Sequence, residues 1–244
     1  MKKILLRTLA ALLVLLIAAL GYFFVSLNSL VKKAVETVGP KVTGVDVRLG
    51  SALISPWSGS GKLTGLLIGN PSGYTTPAAI RVGSISVAVD KTTLLTDPIV
   101  IDRIVIDNPE LTLEGTLKGN NLGRILDNVK NSTSTGSKEE TSAKRKSRKF
   151  IVKEVVISGI ALHAAASAMG QNVEQNLSLP TLYLQNIGSG GGGVSASELS
   201  EQILTPLLNS AIRDGINILA KQGLKQLEKQ GAGQLQNALK GLFK

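Results

Sequence analysis

The chain has 244 residues, enough for one ordinary domain with appendages, and it is 43% hydrophobic but only 3% aromatic. It carries 27 Lys and Arg against 17 Asp and Glu, a net charge of +10, with no Cys and one His. This inventory excludes disulfides, Cys-ligated metal sites and thiolate nucleophiles. We therefore expect a protein that is not an enzyme and has no cofactor. The basic charge favours lipid headgroups over nucleic acid, because few aromatic side chains are present to stack on bases.

The first segment predicts a single membrane anchor, which we assign to residues 1–31. Lys2, Lys3 and Arg7 are followed by an uncharged run over residues 8–31. Twenty-odd helical residues at 1.5 Å each span roughly 30 Å, the thickness of a hydrocarbon core. A cleaved signal peptide is the alternative, but the run exceeds a typical signal-peptide core and no small-x-small cleavage site follows it. The basic start favours a cytoplasmic N-terminus, with the remaining chain on the outer side of the membrane.

Beyond this segment, alternating apolar and polar residues predict β-strands. Val45, Val47 and Leu49 face one way, while Asp46 and Arg48 face the other. About nine strands at roughly 4.8 Å each would give a sheet about 43 Å across its strands. Further strands are predicted at residues 63–68, 80–89, 99–106, 111–114, 151–157, 159–164 and 177–187.

Turn residues separate these strands, and a repeat supports the β interpretation. Residues 99–108 align with residues 150–159, each with an aliphatic trio, a charged pair, a second trio and a turn. Within residues 80–89 the apolar phase switches at Gly83, which predicts a bulge there. Turns are predicted at residues 70–73, 97–98, 107–109 and 158–159.

Four segments depart from the strand pattern. Residues 121–129 carry apolar side chains at helical spacing and predict a short amphipathic helix. Residues 130–149 are rich in Ser, Thr and Lys and predict a flexible basic insertion. A Gly-rich hinge at residues 188–194 precedes C-terminal amphipathic helices at residues 195–244.

The C-terminal segment combines an aliphatic stripe with a basic face. Ser195 and Glu198 form a candidate capping box, and Pro206 predicts a kink or a new first turn. Such a helix can lie on an anionic membrane surface or cover the open face or edge of a sheet. The candidates for contact with a membrane surface, here and in the basic insertion, are Lys144, Arg145, Lys146, Arg148, Lys149, Lys221, Lys225 and Lys229.

No arrangement of residues indicates catalysis. Residues 57–62 faintly suggest a phosphate-binding loop, but Pro56 and Leu63 stand where that motif requires Gly and a hydroxyl. His163 has no second histidine to complete a metal site, so we interpret it as structural or exposed. The acidic residues near the turns form no carboxylate pair with distinct environments. We predict no catalytic residue and no metal site.

Three stretches of sequence carry a family resemblance. They are residues 28–44, residues 65–74, which contain Asn-Pro-Ser-Gly, and residues 101–110, which end in Asp-Asn-Pro-Glu. Together they resemble the N-terminal portion of the AsmA family, whose large members are several times longer than this chain. The resemblance implies a protein anchored in the inner membrane of a diderm bacterium, with a single span and a β-sheet groove in the periplasm. It also implies a role in outer-membrane lipid homeostasis and phospholipid transport.

The pattern and the resemblance together predict the fold class. We expect a mainly β protein with helices at both ends: an N-terminal transmembrane helix, a curved antiparallel β-sheet forming a groove, and a C-terminal amphipathic helix. A closed β-sandwich would use the same apolar residues as its core and stays open as the alternative. The predicted boundaries are 1–31 for the anchor, 32–129 for the first β segment with its short helix, 130–149 for the insertion, 150–187 for the second β segment, 188–194 for the hinge and 195–244 for the C-terminal helices.

The expected function is to bind or help transfer phospholipid in an apolar groove, contributing to outer-membrane lipid homeostasis or assembly. Membrane phospholipid is the expected partner, with envelope proteins or further copies of the chain as additional partners. A scaffold that binds another membrane protein without transporting lipid is the alternative. The candidates for the apolar wall of the groove are Ile85, Val87, Ile104, Ile106, Val155 and Ile157.

Overall fold

The computed structural model describes residues 26–116, 119–139, 148–168 and 171–242. They form one mixed sheet with three long helices. The first helix, α1, covers residues 26–43 in its described part. The other elements are β1 (Val47–Ser55), β2 (Ser60–Ile68), β3 (Ile80–Val89), β4 (Ile99–Thr116), β5 (Gly119–Asn120), α2 (Asn121–Glu139), β6 (Phe150–Ser158), β7 (Ala161–Ala168), β8 (Gln171–Ser178), β9 (Leu182–Ile187) and α3 (Ala196–Leu242), with a 3₁₀ turn at Lys91–Thr93.

The nine strands occupy only six positions across the sheet. The order is β1-β2-β3-β4-β6-β9, while β7 continues the line of β6 beside β4, and β8 pairs with β7 in line with β9. The short β5 turns back on the end of β4. Five spacings of about 4.8 Å give a width of about 24 Å, so the predicted width of about 43 Å is wrong. A count of strands along the sequence gives each strand its own position, whereas β7 lies in line with β6 and β8 lies in line with β9.

The sheet is mixed, so the predicted antiparallel sheet is corrected. β4 runs parallel to β6, with Ile99 opposite Phe150, and parallel to β7, with Glu110 opposite Ala161. A parallel pair needs a crossover connection, and α2 supplies it by running back along the sheet after β4. Because the crossover is long, α2 continues to Glu139 and includes the first ten residues of the segment predicted as a flexible insertion.

A row of small residues crosses the sheet where regular pairing is interrupted. It contains Gly50, Gly65, Gly83, Asn108 and Gly159, which are neighbours on successive strands. Gly65, Asn108 and Gly159 have positive φ angles of 66°, 49° and 65°, a conformation that glycine and asparagine adopt most readily. A residue in this conformation shifts the alternation of its strand by one position, so apolar residues on both sides of the row share one face.

β4 shows the effect of this row and corrects two local predictions. Ile104 and Ile106 before the row, and Leu111 and Leu113 after it, all belong to one buried core. The turn predicted at residues 107–109 is therefore wrong, because these residues lie inside an 18-residue strand.

The bulge predicted at Gly83 is also wrong in position. The registers of β3 with β2 and with β4 continue unchanged past Gly83, and the shift lies between Ala88 and Val89. The left-handed residues of the row lie in the neighbouring strands, at Gly65 and Asn108, and not at Gly83 itself.

The core lies on one face of the sheet, which we call the inner face, under α2 and α3. Leu122, Ile125 and Val129 of α2 are fully buried, as are Leu208 and Ala211 of α3. α3 begins with the predicted capping box, which is confirmed, and continues as one helix through Pro206. The opposite face, which we call the outer face, carries many charged and hydroxyl side chains.

Helix α1 covers the edge of the sheet at β1. The side-chain oxygen of Asn28 accepts a hydrogen bond from the Ile54 amide at 2.8 Å, and a Glu36 oxygen accepts one from the Leu49 amide at 3.0 Å. Lys32 donates to the Gly50 carbonyl at 3.3 Å. These side chains satisfy backbone groups that an edge strand leaves free, and so they block pairing with another chain.

The predicted N-terminal transmembrane helix is corrected. Among the described residues, no helix is long and apolar enough to cross a membrane. Residues 26–31, predicted as the end of the anchor, belong to α1, where Asn28 binds β1. The rest of the apolar run, in residues 1–25, lies outside the described residues. The fold class is therefore a mainly β sheet with helices, with no membrane span assigned.

Candidate functional site

The six residues predicted to form an apolar wall lie together on the inner face. Ile85, Ile106 and Ile157 are opposite one another on β3, β4 and β6. The second row of the wall is formed in the same way by Val87, Ile104 and Val155. Sequence alternation located the apolar residues, and the register of three strands makes them one continuous surface.

This wall is covered on one side and partly open on the other. Val155 and Ile157 are 0% exposed, and Ile104 and Ile106 are buried at 7% and 8%, because α3 packs over β4 and β6. Ile85 and Val87 are only half-buried, and so is Leu63, which lies opposite Ile85 on β2. We call Leu63, Ile85 and Val87 the half-open strip. The wall is a core beneath α3 and a partly exposed apolar surface beside it.

Gly215 allows α3 to approach the sheet closely. A Cβ atom at this position would collide with the end of the Leu113 side chain, and would lie 3.2 Å from Leu162 Cδ2 and 3.7 Å from Ala164 Cβ. The helix is therefore seated on β4 and β7 at a point where no larger residue fits without rearrangement. In the sequence, Gly215 is only a glycine within a helical pattern. Its close contact cannot be predicted locally, because the residues it approaches lie about fifty and a hundred positions earlier.

The predicted membrane-surface residues are divided between two places. Arg148 and Lys149 are exposed just before β6, and Lys221 and Lys225 are exposed on α3. The side chain of Lys229, also on α3, lies outside the described residues, as do Lys144, Arg145 and Lys146. Within the described part of the chain, the structure does not bring these two groups of basic residues into one cluster.

A depression of about 470 Å³ lies on the outer face, and sequence analysis did not find it. Most of its lining comes from two adjacent rows across β1 to β4, which share a face because they are two residues apart. The register is needed to see that these residues lie side by side. The rows are Leu53, Lys62, Ser86 and Val105, and then Ser55, Ser60, Ala88 and Arg103. The remaining lining residues are Asn28, Ile54, Gly61 and Val87.

The charged end of this depression is partly neutralised within the sheet. Arg103 lies opposite Glu154, and their side chains form an ion pair at 3.1 Å. Lys62 is exposed at the other side of the depression. Among the described residues that line the depression, Lys62 offers an exposed ammonium group beside apolar side chains, and no nucleophile is positioned by a base. Such a surface is able to contact an anionic headgroup.

Among the described residues, Glu114 is the carboxylate with the most strongly shifted pKa. Its oxygens accept hydrogen bonds from the backbone amides and the hydroxyls of Thr75 and Thr76, at 2.8–2.9 Å. Burial raises the pKa of Glu114, but these four hydrogen bonds outweigh it and lower the pKa to about 2. A carboxylate held ionised in this way is a structural clamp and is poorly suited to exchange protons near neutral pH.

A buried asparagine extends this clamp. Asn121 is 0% exposed, and its oxygen accepts from the amides of Glu114 and Leu122. Its nitrogen donates to the Asn70 side chain and to the Thr112 carbonyl. The Asn-Pro-Ser-Gly stretch noted in the sequence is therefore tied to the end of β4.

His163 is exposed on β7, with its Nδ1 2.7 Å from the side-chain oxygen of Asn176 on β8. The two residues are cross-strand partners. Across the described residues, no group of three or more His, Cys, Asp or Glu side chains could hold a metal ion.

Comparisons with known proteins address the family. Among curated proteins, none is found to match the sequence. The family model described as AsmA family matches residues 1–179, which include β1 to β8 and α2. The match includes all three stretches on which the resemblance rested. Because it covers more than half of the 244 residues, the chain belongs to the AsmA family.

Proposed function

We propose that this protein works in the bacterial cell envelope, where it binds phospholipid acyl chains on the inner face of its sheet and helps to transfer them. AsmA family membership is consistent with a role related to the envelope or to lipid transport, and the family is not a known enzyme family. In this proposal the sheet lies in the periplasm and carries out no chemistry on the lipid. The sequence inventory, with no Cys and one His, supports the absence of catalysis.

The observation that carries the proposal is the half-open strip. Leu63, Ile85 and Val87 are apolar and half-buried. Ile85 and Val87 pack against the buried core, and Leu63 lies opposite Ile85 on β2. An acyl chain that lies on this strip would remove exposed apolar surface from water, which stabilises the bound state by about 25 cal/mol per Å² of apolar area buried. Further room on the wall becomes available only when α3 moves away, since Val155 and Ile157 are fully covered in this conformation.

A scaffold role is the second candidate, and the far edge of the sheet favours it. β9 forms this edge beside β6, and its Tyr183 side chain is 66% exposed. An edge strand with an exposed aromatic residue can pair with a strand of another protein. In contrast to β1, which α1 covers, this edge offers backbone groups to a partner.

The test places a charge in the half-open strip of the full-length chain. Ile85→Glu is expected to lower both co-purifying phospholipid and transfer of labelled phospholipid between vesicles by about tenfold, since a carboxylate there opposes acyl-chain contact. Thr64→Glu is the matched control, because Thr64 is on the outer face of the adjacent strand, one residue from Leu63. Circular dichroism of both variants checks that the sheet is formed.

Lipid transfer that is equal in the two variants and in the unchanged chain would reject the strip as the binding surface. A folded chain with no co-purifying lipid and no transfer would favour the scaffold instead. The periplasmic location is tested separately by protease treatment of intact cells and spheroplasts of the native host. We expect the sheet to be cleaved only in spheroplasts, and cleavage in neither preparation contradicts the proposed location.

A further inference from the structure

Three connections meet at one end of the sheet, which we call the hairpin end. They are residues 56–59 between β1 and β2, residues 90–98 between β3 and β4, and residues 148–149 before β6. The Val89 amide donates to the Gly59 carbonyl at 2.7 Å, which joins the first two connections. The Arg148 guanidinium donates to the Leu94 carbonyl at 2.8 Å, which joins the third. The hairpin end is therefore one continuous surface.

Two large apolar side chains protrude from this surface. Trp57 is 88% exposed and Leu95 is 93% exposed, the highest values among the exposed large hydrophobic residues of the described chain. They lie at the tips of neighbouring connections and do not line a groove. Exposure at this level costs free energy in water, and tryptophan is one of the side chains enriched at membrane–water interfaces.

Basic side chains surround these two residues. Lys91, Arg148 and Lys149 are exposed on the same connections. The acidic residues there, Asp90 and Asp97, have carboxylate oxygens that accept hydrogen bonds from backbone amides at 3.0 and 2.9 Å. Those hydrogen bonds stabilise the negative charge of the two carboxylates within the hairpin end. The side chains of Lys91 and Lys149 are exposed and remain available to an anionic surface.

From this arrangement we infer that the hairpin end docks onto the surface of an anionic phospholipid bilayer, with Trp57 and Leu95 inserted at the level of the headgroups. Convex tips suit a bilayer, whereas a protein partner commonly buries such anchors in a pocket. The described part of helix α1 starts at this end, because Asn28 binds Ile54 near the end of β1. The chain before residue 26, uncharged over residues 8–25, therefore joins the described structure at the same surface.

The single tryptophan of the chain makes the inference directly measurable. Full-length protein is reconstituted into vesicles of mixed phosphatidylcholine and phosphatidylglycerol. We expect Trp57 emission to shift to shorter wavelength, doxyl-labelled lipids to quench it, and acrylamide quenching to fall about fivefold relative to an exposed reporter. That reporter is the double variant Trp57→Phe/Tyr183→Trp, which moves the tryptophan to β9 on the same sheet.

Charge reversal tests the electrostatic part. Lys91→Glu/Lys149→Glu keeps Trp57 and is expected to lower the equilibrium constant for docking at least tenfold, on the basis of about 1 kcal/mol per basic residue near an anionic surface. Acrylamide quenching of Trp57 should then rise to the level of the exposed reporter. Vesicles of phosphatidylcholine alone should have the same effect on the unchanged protein. Equal quenching of Trp57 and of the β9 reporter by acrylamide would overturn the inference, as would equal protection in neutral and anionic vesicles. Neither result depends on Ile85→Glu, so docking and lipid transfer are tested independently.

Discussion

At the scale of single residues, Glu114 shows how one side chain joins distant parts of the chain. It lies near the end of β4 and accepts four hydrogen bonds from Thr75 and Thr76, in the connection between β2 and β3. In sequence it was one of several acidic residues near turns. Its role depends on the loop that folds back on it, about forty residues earlier, which no local pattern reveals.

The lowered pKa of Glu114 predicts a specific pH dependence of stability. Because the pKa is about 2 in the folded chain and about 4.5 when unperturbed, the contribution is complete above about pH 4.5 and is lost as the pH falls towards 2. After allowance for solvent screening, we expect Glu114→Gln to lower the free energy of unfolding by about 1–2 kcal/mol at pH 7. Urea titrations from pH 7 to pH 2.5 should show this difference shrinking with acid.

Glu110→Gln, at an exposed position on the same strand, is the control and should leave the urea midpoint nearly unchanged at each pH. A constant difference between Glu114→Gln and the unchanged chain down to pH 2.5 would show that the carboxylate charge is not what stabilises the clamp.

At the scale of elements, α1 and β1 depend on each other through side-chain-to-backbone hydrogen bonds. Asn28 and Glu36 bind the Ile54 and Leu49 amides of an edge strand that has β2 as its only strand neighbour among the described residues. In the sequence, residues 26–31 continue an uncharged run and so predict the end of a membrane anchor. Only the pairing order shows that β1 is an edge and that these polar side chains protect it.

Removal of both side chains is predicted to expose that edge. The double variant Asn28→Ala/Glu36→Ala should lose about 1–3 kcal/mol of stability, from two hydrogen bonds to partly buried amides, and should self-associate more readily. Urea denaturation measures the first effect and light scattering of the detergent-solubilised protein measures the second. Thr37→Ala, at an exposed site on α1, is the control. Unchanged scattering in the double variant would indicate that α1 does not protect the edge.

At the scale of the whole molecule, α3 decides whether the inner face is a core or a binding surface. It seats against β4 and β7 at Gly215 and covers the wall on β4 and β6, leaving the half-open strip on β2 and β3. The sequence allowed a membrane-bound helix and a helix that covers the sheet equally well. Both uses require the same stripe of aliphatic residues, so periodicity could not separate them.

A reversible lock on α3 tests whether lipid transfer requires the helix to move. The Cβ of a residue at position 215 would lie 3.7 Å from Ala164 Cβ, within the range for a disulfide, and the chain has no other cysteine. We predict that Gly215→Cys/Ala164→Cys loses vesicle-to-vesicle phospholipid transfer when oxidised and recovers it when reduced. The reduced form of the same protein controls for crowding against Leu113. Full transfer by the oxidised protein would confine lipid to the half-open strip.

The sequence alone located most strands, the capping box of α3, the six wall residues and the AsmA resemblance, since these depend on local alternation, short motifs and composition. The element boundaries predicted from the sequence are wrong where pairing with distant strands overrides the local signals. The predicted turn at residues 107–109 lies inside β4, because Asn108 adopts a left-handed conformation that keeps the strand continuous. The predicted insertion begins as helix, because α2 must carry the chain back to start a parallel strand.

The composition, a basic and aliphatic chain with no Cys and one His, favours binding over catalysis. Composition alone could not say which apolar residues are covered, because burial depends on partners that are distant in sequence. Only the tertiary structure decided that α3 closes most of the wall, that α1 protects one edge, and that Trp57 and Leu95 share one exposed end. The physical reason is that alternation determines which residues share a face, whereas strand order and helix docking determine what that face meets.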